Sequence, residues 1–135
     1  MPLSIFEMFR VGVGPSSSHT VGPMRAAAVF VGEIQRQGLF ERIKRVHVRL
    51  MGSLAATGVG HATDRAVALG LSGQLPDTLN RAKADFILQR ILNTETICLG
   101  GEHEVSFHVH EDIEFDPDTE AQFHTNAMEL SVYDD

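Results

Sequence analysis

The sequence predicts an α+β domain in which helices pack on one face of a mixed sheet. Apolar residues recur at helical spacing over several segments in the first two thirds of the chain. Apolar and polar residues alternate over short segments of the last third, as is typical of half-buried strands. Because helices and strands are partly segregated along the chain, this arrangement is favoured over a doubly wound parallel sheet.

Three elements are predicted in the N-terminal part of the chain. Residues 4–9 are expected to form a short helix, because Ser4 and Glu7 have the spacing of a capping box. Residues 12–20 are small, polar and punctuated by Gly and Pro, which predicts a loop. Residues 21–37 are rich in Ala and carry apolar residues at helical spacing, which predicts a long helix.

The middle of the chain is predicted to contain a strand followed by two helices. Strict alternation of apolar and polar residues predicts a half-buried strand over residues 45–51. A second loop rich in small residues follows over residues 52–60. Helical spacing then predicts a helix over residues 61–71 and, after a turn, an amphipathic helix over residues 79–92.

The last third is predicted to be mostly strand. Residues 96–99 and 104–109 are expected to pair as a hairpin across a Gly-Gly turn. Residues 112–125 are acidic and are expected to form a loop. Alternation returns over residues 128–133, which predicts a final strand.

Size and charge limit the possible classes of protein. The 135 residues fit one domain, residues 1–135, and no apolar run is long enough to cross a bilayer. A net charge of −7 disfavours nucleic-acid binding, and residues 1–10 lack the basic region and apolar stretch of a secretory signal. We therefore expect a cytoplasmic protein without a nucleic-acid or membrane partner. The basic residues of one amphipathic segment are expected to form a solvated face: Arg36, Arg42, Lys44, Arg45 and Arg49.

Cysteine and histidine usage bears on metal binding. The single cysteine, Cys98, excludes an internal disulfide and an iron–sulfur cluster held by this chain alone, and an inert buried thiol is expected. His108 and His110 share one face if their strand continues, a spacing compatible with a metal ion. No third ligand is evident, so solvent-facing histidines are the favoured interpretation.

The loop before the first long helix is the first candidate site. Ser16, Ser17, Ser18 and Thr20 offer hydroxyl groups just before a helix N-terminus, where backbone N–H groups and the helix dipole favour an anion. His19 has a residue type suited to acid–base work or to donating to a bound carboxylate. The structural alternative is that Ser18 or Thr20 caps the helix, that the rest is a mobile linker, and that His19 is a surface residue without a role.

The second candidate site has the same design. A Gly-rich segment runs into a predicted helix at His61, and Asp64 follows three residues later, on a neighbouring face of the same turn. A carboxylate in that position orients an imidazole and favours its protonated form. The structural alternative is that Thr63 or Asp64 is a favourable first-turn residue that stabilises the start of the helix. The two loops form one polar site only if they converge, which the sequence does not show.

Two long motifs carry a resemblance to a known family. Residues 14–24 (GPSSSHTVGPM), preceded by SIFEMF at 4–9, are similar to the opening of the oxygen-sensitive, iron–sulfur-dependent bacterial L-serine dehydratases. The resemblance continues through residues 51–61 (MGSLAATGVGH) and 63–64. It reaches residues 126–128, where the family has a similar Asn-Gly-Met.

The resemblance implies an enzyme that converts L-serine to pyruvate and ammonia with a [4Fe–4S] cluster. The cluster is expected to be ligated outside this chain, by a catalytic cluster-binding domain or subunit, and the assembly is expected to be a homodimer. The fold is expected to be similar to the allosteric substrate-binding domain of phosphoglycerate dehydrogenase. Alone, this chain is expected to be inactive.

The resemblance also implies roles for particular residues. His61 is the first choice for an active-site acid–base residue, His19 is the second, and Asp64 is expected to orient His61. The hydroxyl groups of the 16–20 loop are expected to bind the substrate carboxylate. The alternative is a regulatory module that binds serine or another small anion without taking part in chemistry.

Overall fold

The computed structural model describes residues 4–10, 21–52, 63–116 and 126–134. The described residues form helices and strands in an α+β arrangement, which confirms the predicted fold class. In chain order the elements are β1 (Ser4–Arg10), α1 (Val21–Arg36), a 3-10 turn (Phe40–Arg42), β2 (Arg45–Gly52), α2 (Thr63–Leu71), α3 (Arg81–Thr94), β3 (Thr96–Leu99), β4 (His103–Ser106), the single-turn α4 (Val109–Asp112), β5 (Ile113–Asp116) and β6 (Asn126–Tyr133).

The main sheet has four strands in the order β1-β6-β2-β5. Strand β6 lies antiparallel to both β1 and β2, whereas β5 lies parallel to β2. It follows that β1, β2 and β5 all run in one direction and β6 runs against them, so the sheet is mixed, as predicted. Strands β3 and β4 form a separate antiparallel pair, which confirms the predicted hairpin across Gly100 and Gly101. The second strand was predicted to reach residue 109 but ends at Ser106, and α4 begins at Val109.

The core lies on one face of the main sheet. Val46, Val48 and Leu50 alternate along β2 and are completely buried, while His47 and Arg49 between them are only partly covered. Burying a large aliphatic side chain stabilises the fold by about 1.5–3 kcal/mol. The buried residues that pack with this face come from the helices, the hairpin and the other strands: Ala27, Phe30, Val31, Ile34, Val67, Ala68, Leu71, Ile91, Ile97, Leu99, Val105, Phe107, Ile113, Met128, Leu130 and Val132.

Helices α1 and α2 approach each other closely because small residues line their contact. A Cβ atom placed on Gly70 would lie 2.2 Å from the carbonyl oxygen of Met24 and 2.8 Å from the Cβ of Ala27. No side chain larger than hydrogen therefore fits at position 70 without moving one helix.

Helix α3 has defined signals at both ends. The Asn80 side chain accepts a hydrogen bond from the backbone N–H of Lys83 (2.8 Å), which is the usual N-cap interaction. At the other end Glu95 adopts a left-handed conformation (φ 54°), and its N–H donates to the carbonyl of Ile91. The predicted helix over residues 79–92 is thus confirmed, with both ends displaced by two residues.

Two predicted elements are wrong. Residues 4–9 do not form a helix: β1 occupies this segment and pairs with β6 over its whole length. Part of the predicted acidic loop is β5, whose first residue, Ile113, is buried opposite Val48. In both cases pairing with a strand distant in sequence decides the conformation, and local composition does not report such pairing.

The remaining predicted elements are confirmed where they are described, namely the helices that begin at Val21 and Thr63 and the strands β2 and β6. The loop predicted over 12–20, and the loop over 52–60 beyond Gly52, lie outside the described residues. In the described part of the chain, no helix combines the length and the apolar character that crossing a membrane requires.

Candidate active site

The undescribed segments are attached to one side of the main sheet, where β1, β2 and β5 end and β6 begins. We call this side the site edge. Arg10, at the carboxyl end of β1, pairs with Ala127, and Met51, near the carboxyl end of β2, pairs with the same residue. Met51 also pairs with Asp116, the last residue of β5. These residues therefore form a single row across the sheet: Arg10, Ala127, Met51 and Asp116.

Three chain segments leave or enter the sheet at this row. Segment 11–20 follows β1, segment 53–62 follows β2, and segment 117–125 joins β5 to β6. Six predicted site residues lie in the first two segments, outside the described residues: Ser16, Ser17, Ser18, His19, Thr20 and His61. The structure thus brings together the points at which these segments meet the sheet, although it does not describe the six residues themselves.

The first turn of α1 packs along α2, with the Met24 carbonyl oxygen against Gly70 near the end of α2. Met24, in the first turn of α1, shares an apolar cluster with Ala66, in the first turn of α2. Each helix begins directly after one of the two segments that hold the predicted site residues. The positive end of each helix dipole therefore lies at the end of one of these segments, where it favours a bound anion.

Asp64 is the predicted site residue that the structure describes. It is half-buried in the first turn of α2, and its Oδ1 accepts a hydrogen bond from the Arg65 backbone N–H (2.9 Å). It also lines a cleft of about 240 Å³ between α2 and α3, together with Leu88 and Val109. Its predicted role in orienting His61 stays a prediction, because His61 lies outside the described residues.

Thr63 was not selected as a site residue from the sequence, although it begins α2 two residues after His61. Its side chain is completely buried, and Oγ1 has no hydrogen-bond partner in the described part of the structure. The sequence placed it within the family resemblance and in the first turn of a predicted helix, but neither signal reveals burial.

An arginine approaches the same edge from the other face of the sheet. The Arg49 Nη2 donates to the sulfur of Met51 (3.3 Å), and its Nε lies 4.0 Å from Asp116 Oδ2. That Nε is buried and has no hydrogen-bond partner among the described residues. An ion pair between Arg49 and Asp116 thus lies beside the row.

The prediction that Cys98 is buried is wrong. Its neighbours Ile97 and Leu99 fill the core, whereas Cys98 points to the opposite side of β3 and is only half-buried. It lines a cleft of about 170 Å³ with Phe86 and Arg90.

His108 and His110 do not lie on a continuing strand, because β4 ends at Ser106. His108 is bonded instead to the Glu95 carboxylate (Nδ1–Oε2 2.8 Å). This hydrogen bond raises the pKa of His108 above its usual value, opposed in part by desolvation. Across the residues that the structure describes, no group of three or more His, Cys, Asp or Glu side chains is placed to hold a metal ion.

Comparison with known proteins identifies relatives over almost the whole chain. The family model described as serine dehydratase beta chain matches residues 4–135. The chain is 42% identical to the L-serine dehydratase of Streptomyces coelicolor, over 99% of this chain and 30% of that protein. It is 39% identical to L-serine dehydratase 2 of Escherichia coli, over 96% of this chain and 29% of that protein. The chain therefore spans less than a third of the length of these relatives.

Proposed function

Because this chain belongs to the serine dehydratase beta-chain family, we propose that it is one part of an L-serine dehydratase. The complete enzyme converts L-serine to pyruvate and ammonia, and this chain contributes residues to the active site without carrying the whole catalytic centre. The contributing residues are those that the sequence analysis selected: Ser16, Ser17, Ser18, His19, Thr20, His61 and Asp64.

The observation that carries this proposal is the common edge of the main sheet. Segments 11–20 and 53–62, which hold six of these residues, both leave the sheet from the row that contains Arg10 and Met51. The amino-terminal turns of α1 and α2, which begin directly after these two segments, add a positive electrostatic potential. Both features support a polar site for a small anionic molecule such as an amino acid.

β-Elimination from serine requires that the Cα proton be removed and that the hydroxyl group depart. We assign proton removal to His61, with His19 as the second candidate, because an imidazole accepts protons near neutral pH. Asp64 orients His61 and stabilises its protonated form. The hydroxyl groups of residues 16–18 donate hydrogen bonds to the substrate carboxylate. We assign the departure of the hydroxyl group to no residue of this chain.

The residues of this chain do not fit an iron–sulfur cluster. Such clusters are usually held by several cysteine thiolates, and the chain contains only Cys98, which lies in the β3–β4 hairpin. We therefore propose that the [4Fe–4S] cluster is ligated by a catalytic domain or subunit outside this chain. We further propose that the assembled enzyme is a cytoplasmic homodimer.

The test uses the complete enzyme, prepared without oxygen so that its cluster stays intact. Serine deamination is measured for the wild type, His61→Ala and His19→Ala, and the iron content of each variant is checked. His47→Ala is the matched control, because His47 lies roughly 13 Å along β2 from the site edge and pairs with Glu114. We expect His61→Ala to lower kcat by about 100-fold or more with iron retained, because general acid–base catalysis contributes that much.

Two results would contradict this assignment. Near-normal kcat in both site variants, with a changed dependence on serine alone, would make this domain a regulatory or binding module. An equal loss of kcat in His47→Ala would show that loss of any histidine disturbs the domain.

A further inference from the structure

Helix α3 packs against the rest of the described structure over a narrow contact. Of its fourteen residues, only Ile91 is buried within the part of the chain that the structure describes. Leu88 is half-buried and Leu92 is 54% exposed, although both lie on the same stripe of the helix as Ile91. Because helices in proteins are stabilised mainly by packing of their apolar face, α3 leaves part of its stabilising surface uncovered.

A groove follows this stripe. Two clefts of about 240 and 210 Å³ adjoin along α3, and they share four lining residues: Ile91, Leu92, Val109 and His110. Their deeper walls are apolar, since Ala68 in the larger cleft and Phe107 in the smaller one are buried. We call the two clefts together the α3 groove.

The rim of the α3 groove carries an excess of carboxylates. Asp64 lies at one end, and Glu95 and Glu111 lie at the other. Arg65 opposes them at the first end, and His108 is bonded to Glu95 (2.8 Å) at the second. An apolar groove with such a rim fits a protein segment that presents apolar side chains flanked by basic ones.

The α3 groove begins close to the proposed active site. Asp64, which lines the groove, follows the proposed base His61 by three residues, and three residues reach at most about 11 Å. The base and the cluster must act on the same serine molecule. The part of the enzyme that carries the cluster therefore has to approach this region of the chain.

We infer that the α3 groove is a docking surface for the cluster-binding part of the L-serine dehydratase, which seats apolar side chains on Leu92 and basic side chains at the acidic rim. This inference rests on the proposed function and deepens it, because it names the surface that holds the partner beside the site. The chain covers no more than 30% of the two L-serine dehydratases compared above, so most of such an enzyme lies outside it and is large enough to cover the groove.

The first test is photo-crosslinking in the complete enzyme. Leu92 is replaced by p-benzoylphenylalanine, and mass spectrometry identifies the peptide that it captures, which we expect to come from the cluster-binding part. Phe86 is replaced in the same way as the matched control. It lies on the same helix and is 69% exposed, but it faces about 120° away from Leu92 and lines the cleft beside Cys98. We expect no capture of the cluster-binding part from position 86.

The second test measures serine deamination by variants of the complete enzyme, with iron content checked. Leu92→Asp places a charge on the apolar stripe and adds to the acidic rim, so we expect kcat to fall by about 10-fold or more. Leu92→Met keeps an apolar side chain, and Phe86→Asp places the same charge outside the groove. Both are expected to stay within about twofold of the wild type.

The outcomes are distinguishable. Capture from position 92 of nothing but residues 1–135 of a second copy would overturn this inference and assign the groove to contact between copies. Absence of capture from position 92, equal capture from position 86, or equal losses of kcat in Leu92→Asp and Phe86→Asp would overturn it too. A wild-type enzyme that does not consume L-serine would overturn the proposed function, whereas crosslinking does not depend on activity and still tests the docking surface.

Discussion

Replacement of Gly70 by alanine tests the close contact between α1 and α2. The added Cβ would lie 2.2 Å from the Met24 carbonyl oxygen, so the helices must separate by about 0.8 Å to bring this contact to 3.0 Å. Overpacking of a core costs about 1–3 kcal/mol. We expect a cost near the upper end of this range, because the clashing atom belongs to the backbone of α1 and cannot move away as a side chain can. Alanine regains about 1 kcal/mol of helix propensity. We therefore expect a net loss of roughly 2 kcal/mol in the free energy of unfolding.

The assay is urea unfolding of the 135-residue chain followed by circular dichroism, with Gly32→Ala as the control. Gly32 also lies within a helix, but a Cβ there meets nothing within 4 Å. That variant is expected to gain about 0.5–1 kcal/mol from the same change in propensity. If Gly70→Ala were as stable as Gly32→Ala, the reasoning from the close contact would be refuted.

Two further predictions concern α3 and its surroundings. The pKa of His108 is raised in the folded state by its bond to Glu95, so the pair contributes stability below the unfolded value of 6.5 and loses it as pH rises through the folded value. Glu95→Gln should therefore lower the free energy of unfolding at about pH 5.5 and not at about pH 9. Equal losses at the two pH values, measured by urea unfolding, would contradict an ion pair between His108 and Glu95. Asn80→Ala should lower the free energy of unfolding by about 1 kcal/mol, because the N-cap of α3 is lost. The control, Asn93→Ala on the same helix, should lower it by less than about 0.5 kcal/mol. Equal shifts in Tm for the two variants would exclude a capping effect.

The elements predicted correctly are those whose signal is local. Strand β2 alternates strictly, so Val46, Val48 and Leu50 were recognisable as one buried face. The hairpin turn was recognisable from the Gly-Gly pair at residues 100–101. In the structure both glycines adopt positive φ angles (61° and 76°), which glycine tolerates at no steric cost.

The elements predicted wrongly depend on distant partners. The capping-box spacing of Ser4 and Glu7 is a genuine helix signal, but pairing of seven residues of β1 with β6 outweighs it. In β5 the buried Ile113 and the exposed Glu114 do alternate, yet the strand has only four residues in an acidic segment. Its pairing with β2 is parallel and long-range, so composition masked it.

The candidate site shows the same division between residue type and position. The motifs supplied residue types suited to the proposed chemistry. The positions from which the two loops leave the sheet depend instead on the register of β6, which sets Arg10 and Met51 opposite the same residue, Ala127. The burial of Thr63 likewise depends on the packing of α2. The sequence alone therefore proposed candidate residues, but it showed neither that the ends of β1 and β2 lie in one row nor that Thr63 is buried.

The packing of α1 against α2 links the stability of the fold to the geometry of the site. Gly70 sets the separation of the two helices where Met24, in the first turn of α1, contacts the last turn of α2, and Met24 also shares an apolar cluster with Ala66. A separation of about 0.8 Å there would move the first turn of α1, which follows the proposed site segment 11–20, relative to α2, and misplacement of about 1 Å is enough to lower catalysis substantially. Gly70→Ala should therefore impair serine turnover in the complete enzyme even under conditions in which the variant remains folded, whereas Gly32→Ala, which leaves the contact unchanged, should not.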